Sequence, residues 1–170
     1  MKSYLLFSGF FLIVLASCNK EFGEGYSKNV DEFVLQLIEG EYNSYRGLPR
    51  FDSNDIPALL GYADDFQEIS CFPVGLPSSY LPPRYILGEC LLRTIELIKT
   101  YKGDDNWNYS LWVPMLVKDE VGEESGLLDS LELLEVYNLY KDWWMENSED
   151  KEFEDFRDID VLKDTKYYWR

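Results

Sequence analysis

Three apolar stripes at helical spacing constrain this chain more than any other feature. In residues 29–40, Val30, Phe33, Val34, Leu37 and Ile38 fall at i, i+3, i+4, i+7 and i+8, one face of a helix. Asn29 is placed to cap it, Asp31 and Glu32 suit its first turn, and Gly40 closes it. From about Arg84 to Lys102, stopped by Gly103, Leu87, Leu91, Ile95 and Ile98 form a second stripe. Ile86, Cys90, Thr94 and Leu97 widen it, so this helix expects neighbours on more than one side. The third and strongest runs from Leu127 to Glu146, with Leu133, Val136, Tyr137, Tyr140 and Trp144 in register and Trp143 beside them.

Between the stripes the signals are those of short helices and loops. Ser53 or Asn54 caps a helix in which Pro57 is tolerated only near the start. Residues 41–50 form a polar loop, and Pro73, Pro77, Pro82 and Pro83 make 72–83 a non-helical crossing. Residues 110–118 read as a short helix beginning near Pro114, with a strand as the alternative. The aromatic ending Tyr167-Tyr168-Trp169 is expected to dock on the body. The fold expected is all-α, a single domain of about four to six helices over 27–170, with irregular Pro-rich loops.

Ahead of the domain, Lys2 and the apolar run Tyr4 to Ala16 form a secretory signal, too short for a membrane span of about 20 residues. Its end, Leu15-Ala16-Ser17-Cys18, resembles a bacterial lipobox, which implies cleavage after residue 17 and acylation of Cys18. Three acyl tails would tether the protein to the envelope for good, since two lipid signals already suffice. Residues 18–26 then read as a short flexible stalk, and 153 residues remain, enough for one core.

Charge and residue usage narrow the function. The chain holds 16 basic and 32 acidic residues, and cleavage removes only Lys2. That balance excludes nucleic acid, and attraction to an anionic membrane through protein charge. The acid is concentrated in 119–160, where 16 acidic residues face Lys141, Lys151 and Arg157. Such a run is either a solvated helix face or a docking surface for a cationic partner. With no histidine, a Ser-His-Asp or Cys-His relay has no base within the chain, and the commonest transition-metal ligand is missing. No cofactor, no metal site and no catalytic residue is indicated.

Several local constellations carry weaker chemistry. Cys71 and Cys90 either pair across a loop of nearly twenty residues or remain apart, Cys90 packing as a buried thiol. Asp104 to Asn108 places oxygen ligands at alternate positions, yet Tyr109 and Met115 stand where an EF-hand needs glycine and glutamate. Asp64 and Asp65 would serve as a glycosidase carboxylate pair only as any two of 32 acids would. Asp129-Ser130-Leu131 matches a short O-glycosylation pattern of Bacteroidetes exported proteins, inside an expected helix. Trp143 and Trp144 point about 100° apart, so either the helix is broadly buried or one of them offers a partner surface. Arg46 and Arg50 make the main positive island, a further candidate partner surface.

Asp55 to Asp65, Ile69, Phe72-Pro73, Ser78-Ser79, Leu87 to Glu96, Trp143-Trp144 and Asp164 to Trp169 together resemble a family of Bacteroides-type outer-membrane lipoproteins carrying a domain of unknown function. Two departures stand out: Asp164 occupies the place of an expected glycine, and Val161 lies near an expected proline. The resemblance implies an outer-membrane compartment, periplasmic or surface-facing, and a mostly helical fold of stacked helix pairs. It implies no activity. The function expected is a lipid-anchored, non-enzymatic protein-interaction module. The alternatives are a glycan-binding accessory or carboxylate-based glycan hydrolase, and an immunity or inhibitor protein against a cationic partner.

Overall fold

The computed structural model describes residues 28–43, 47–73, 84–100, 115–119 and 126–169. Helix α1 spans Lys28–Glu39, and a 3-10 turn at Ser53–Asp55 leads into α2, Ile56–Tyr62. Strands β1 (Glu68–Ile69) and β2 (Tyr85–Ile86) precede α3, Leu87–Thr100. Strands β3 (Leu116–Lys118) and β4 (Gly126–Leu127) precede α4, Ser130–Asn147; α5 (Phe153–Phe156) and β5 (Tyr167–Trp169) complete the order.

The all-α expectation is therefore corrected. Five helices and the 3-10 turn together account for about 53% of the described residues. Beside them lie two small antiparallel sheets, β1-β2 and β4-β3-β5, so the domain is mixed α/β. The strands have two or three residues each, too short for period-2 alternation to register in sequence. The helix expected near Pro114 is, over Leu116–Lys118, the central strand β3. The aromatic terminus does dock, as β5, pairing Leu116 with Trp169 and Lys118 with Tyr167. Helix α3 packs on both α2 and α4, and α1 packs on α2. Residues 74–83 of the Pro-rich crossing lie outside the described residues.

Local chemistry explains the ends of the helices. Gly40 takes φ +71°, donating to the Leu37 carbonyl while Glu41 donates to Gln36; this is the Schellman pattern that a glycine permits. Asp52, rather than Ser53 or Asn54, caps the 3-10 turn, in a reciprocal box with Asp55, and Pro57 falls in the first turn of α2. The start of α3 is seated on the end of α2. Gly88 N–H donates to Asp65 O at 2.8 Å, and a Cβ on Gly88 would lie 2.3 Å from Ala63 O. Only hydrogen fits there. Asp129 and Glu132 form the capping box of α4, and Glu132 also accepts from Lys118 of β3 at 3.1 Å, tying helix to sheet.

One apolar core joins these elements, from Val30 and Phe33 of α1 through Leu91 and Ile95 of α3 to Tyr140 of α4 and Tyr167 of β5. Leu116 faces that core, while Met115 and Val117 are buried on the other side of the strand. Ile38, expected on the buried face of α1, is 41% exposed. Phe33 anchors an aromatic cluster with Tyr42, Phe51 and Phe72 at 5.0–6.5 Å between ring centres.

Candidate functional site

Ten of the fourteen residues of α3 are buried, yet Glu89, Arg93, Glu96 and Lys99 lie along one side of it at i, i+4, i+7 and i+10. Glu89 Oε1 accepts the Leu116 N–H at 2.6 Å, joining α3 to β3. Burial pushes its carboxyl up to about 7, although that hydrogen bond and the charge of Arg84 pull the other way. The Arg93 guanidinium lies 5.6 Å from the centre of the Trp169 ring, and its buried Nε has no hydrogen-bond partner. Burial lowers its pKa, opposed by Glu96 and Tyr140.

One turn further on, Glu96 Oε1 accepts from Lys99 Nζ at 2.7 Å and from Tyr140 OH at 2.6 Å. Tyr140 OH in turn accepts from Trp169 Nε1 at 2.8 Å. Burial, then the neighbouring Glu96, holds the Tyr140 phenol far above its ordinary value. Lys99 is 4% exposed and lies over the Trp143 ring at 5.0 Å. Arg157 closes the row: Nε donates to Lys99 O at 2.8 Å, while Nη1 grips Glu154 at 2.8 and 2.9 Å. A cation thus meets carbonyls that the C-terminus of α3 leaves open.

These groups hold α3, α4, α5 and β5 together. They are poorly placed for catalysis. Glu89 has a proton affinity suited to general acid work, but its hydrogen bond goes to a backbone amide. The other carboxylate of the row, Glu96, lies two turns away and is occupied by Lys99 and Tyr140.

The residues singled out by sequence are scattered. Cys18, Arg46 and the Asp104–Asn108 segment lie outside the described residues. Arg50 is exposed. Cys71 and Cys90 are separate thiols; Cys71 Sγ donates to Tyr42 O at 3.5 Å, and Cys90 is buried, its thiol pushed well up by burial and by Glu89. Asp65 is engaged by Gln67, which donates its N–H and side-chain amide at 3.0 and 2.8 Å. Asp129 is the N-cap of α4, and Ser130 is the first residue of that helix. Trp143 is 5% exposed within the core, and Trp144 is half-buried against Phe156 at 5.8 Å. Helix α4 is buried broadly enough to take both.

The outer face of α4 went unread in the sequence. Leu131, Leu134 and Met145 are 77%, 39% and 59% exposed. They stand at i, i+3 and i+14, one stripe, with Asn138 and Lys141 between them at i+7 and i+10. Glu135, Asp142 and Glu146 are exposed along one flank. The signal was present as a second apolar register on the same helix, hidden beside the stronger one. Among the described residues, no three His, Cys, Asp or Glu side chains gather to hold a metal ion, and no helix is long and apolar enough to cross a membrane.

The sequence model of a family described as a domain of unknown function (DUF4943) matches residues 25–170, nearly the whole chain. No curated protein and no solved structure matches it.

Proposed function

The chain belongs to the DUF4943 family, and from the outer face of α4 we propose that it is a lipid-anchored envelope protein whose domain is a non-enzymatic protein-interaction module. One observation carries the reading: Leu131, Leu134 and Met145 stand in water on a helix whose other side already supplies the core. Apolar side chains aligned on one face and rimmed by polar ones are the mark of a surface that meets a partner. The carboxylates of α3 weigh against hydrolysis, because Glu96 is ion-paired with Lys99 and accepts a hydrogen bond from Tyr140. Anchorage through Cys18, in an outer-membrane lipoprotein of the Bacteroides type, draws its support from the N-terminal signal anatomy.

Two experiments test it. Cys18→Ser should abolish palmitate labelling and release the protein from the membrane fraction. A pull-down from envelope extract, run beside a glycan array, should recover a protein partner and no glycan. A specific glycan signal that falls on Trp144→Ala would overturn the module reading.

A further inference from the structure

We propose that the outer stripe of α4 docks a basic amphipathic helix of a partner protein, its apolar face on Leu131, Leu134 and Met145 and its lysines or arginines against Glu135, Asp142 and Glu146. The inference rests on the interaction-module reading and names the partner's chemistry. The stripe from residue 131 to 145 is about 21 Å long, four turns of a facing helix. A helix surface offers no open backbone edge, so an extended strand gains nothing there, whereas a second helix packs ridge into groove.

Charge chooses the occupant. The acids lie on one flank; on the other, Lys141 turns its ammonium toward the Tyr137 ring, 5.9 Å from its centre. Tyr167 OH donates to Glu135 Oε2, which holds that carboxylate in place at the rim. A second copy of the chain would set these acids against acids in a protein of net charge −16, and an anionic lipid surface is repelled likewise. A cationic helix is attracted on approach and finds an apolar seat on arrival. Asn138, polar at the centre of the stripe, favours one register of that helix.

The test uses the full chain in phosphatidylcholine nanodiscs and two peptides of about 21 residues. Both carry leucine at a and d of each heptad, one with lysine and the other with glutamate at e and g. Calorimetry should show binding of the lysine peptide alone, weakened as salt rises from about 50 to about 500 mM. Leu134→Glu with Met145→Glu should weaken it by about tenfold or more while the melting temperature holds. Asp142→Lys with Glu146→Lys, which leaves every apolar residue in place, should transfer the preference to the glutamate peptide. Equal binding of both peptides, or binding indifferent to both double variants, overturns the proposal. If those variants still pull the wild-type partner from envelope extract, the docking face is wrong and the module reading stands. If the wild-type chain recovers no protein, both fail.

Discussion

Helices α3 and α4 pack against each other and solve opposite problems. In α3, charge is carried into the interior and, at the C-terminal end of the helix, matched there: Glu96 is met by Lys99 and Tyr140, and Arg157 covers the last carbonyls. In α4, apolar side chains are carried out to solvent and left unmatched, with Leu131 77% and Met145 59% exposed. A buried charge with its partner present is explained by the fold itself. An apolar stripe in water is not, and it points outside the molecule. The contrast separates the residues that hold the domain together from those available to something else.

The largest effect expected is from breaking the interior row. Glu96→Ala leaves the Lys99 ammonium, 4% exposed, without its carboxylate and strips Tyr140 of its acceptor. Urea unfolding should show a loss of about 3–5 kcal/mol. Met145→Ala on the outer face should stay within about 0.5 kcal/mol of wild type. Similar losses at both positions would erase the distinction between the helices.

Glu89→Gln should act in the opposite direction. Its carboxyl titrates near 7 in the folded chain against 4.5 when free, so the folded state holds the proton more tightly. Stability is then greatest below about pH 4.5 and declines as pH rises through 7. Glutamine still accepts the Leu116 N–H without a buried charge. The variant should be more stable than wild type by about 3 kcal/mol at pH 8, and the gap should close below pH 4.5. Melting curves across that range will show it.

Smaller changes probe how α3 is seated and closed. Gly88→Ala drives a methyl group into the Ala63 carbonyl, which α2 holds 2.3 Å from the new carbon; a cost of about 1–3 kcal/mol is expected in denaturant titration. Asp164 takes φ +63°, the left-handed region, just ahead of the strand that brings Trp169 over Arg93. Asp164→Gly should therefore gain roughly 0.5–1 kcal/mol, read as a rise in melting temperature.

That last residue shows how sequence and structure share information. A glycine was expected at 164 from the family resemblance, and the backbone there has the geometry a glycine serves. Gly40 and the apolar stripes were legible because caps and periodicity act locally. The sheets were not, because a two-residue strand such as Glu68–Ile69 is fixed by its pairing across the chain rather than by its own pattern. The polar row of α3 was hidden for a similar reason. Glu89 and Glu96 read as ordinary surface acids until β3 and Tyr140 are folded against them. On α4, both Trp143 and Trp144 were visible, but the Phe156 ring that packs against both, at 5.5 and 5.8 Å, comes from α5 and is placed only by the fold.

The central claim, that α4 keeps an outer face for a partner, is tested most directly by methionine oxidation. Met145 is 59% exposed and Met115 is 7% exposed, so one thioether reports on the outer face and the other on the interior. Peptide mapping after brief peroxide treatment should find Met145 oxidised rapidly in the purified chain but protected in the intact envelope, with Met115 slow in both. Equal oxidation of Met145 in the two settings would contradict the account.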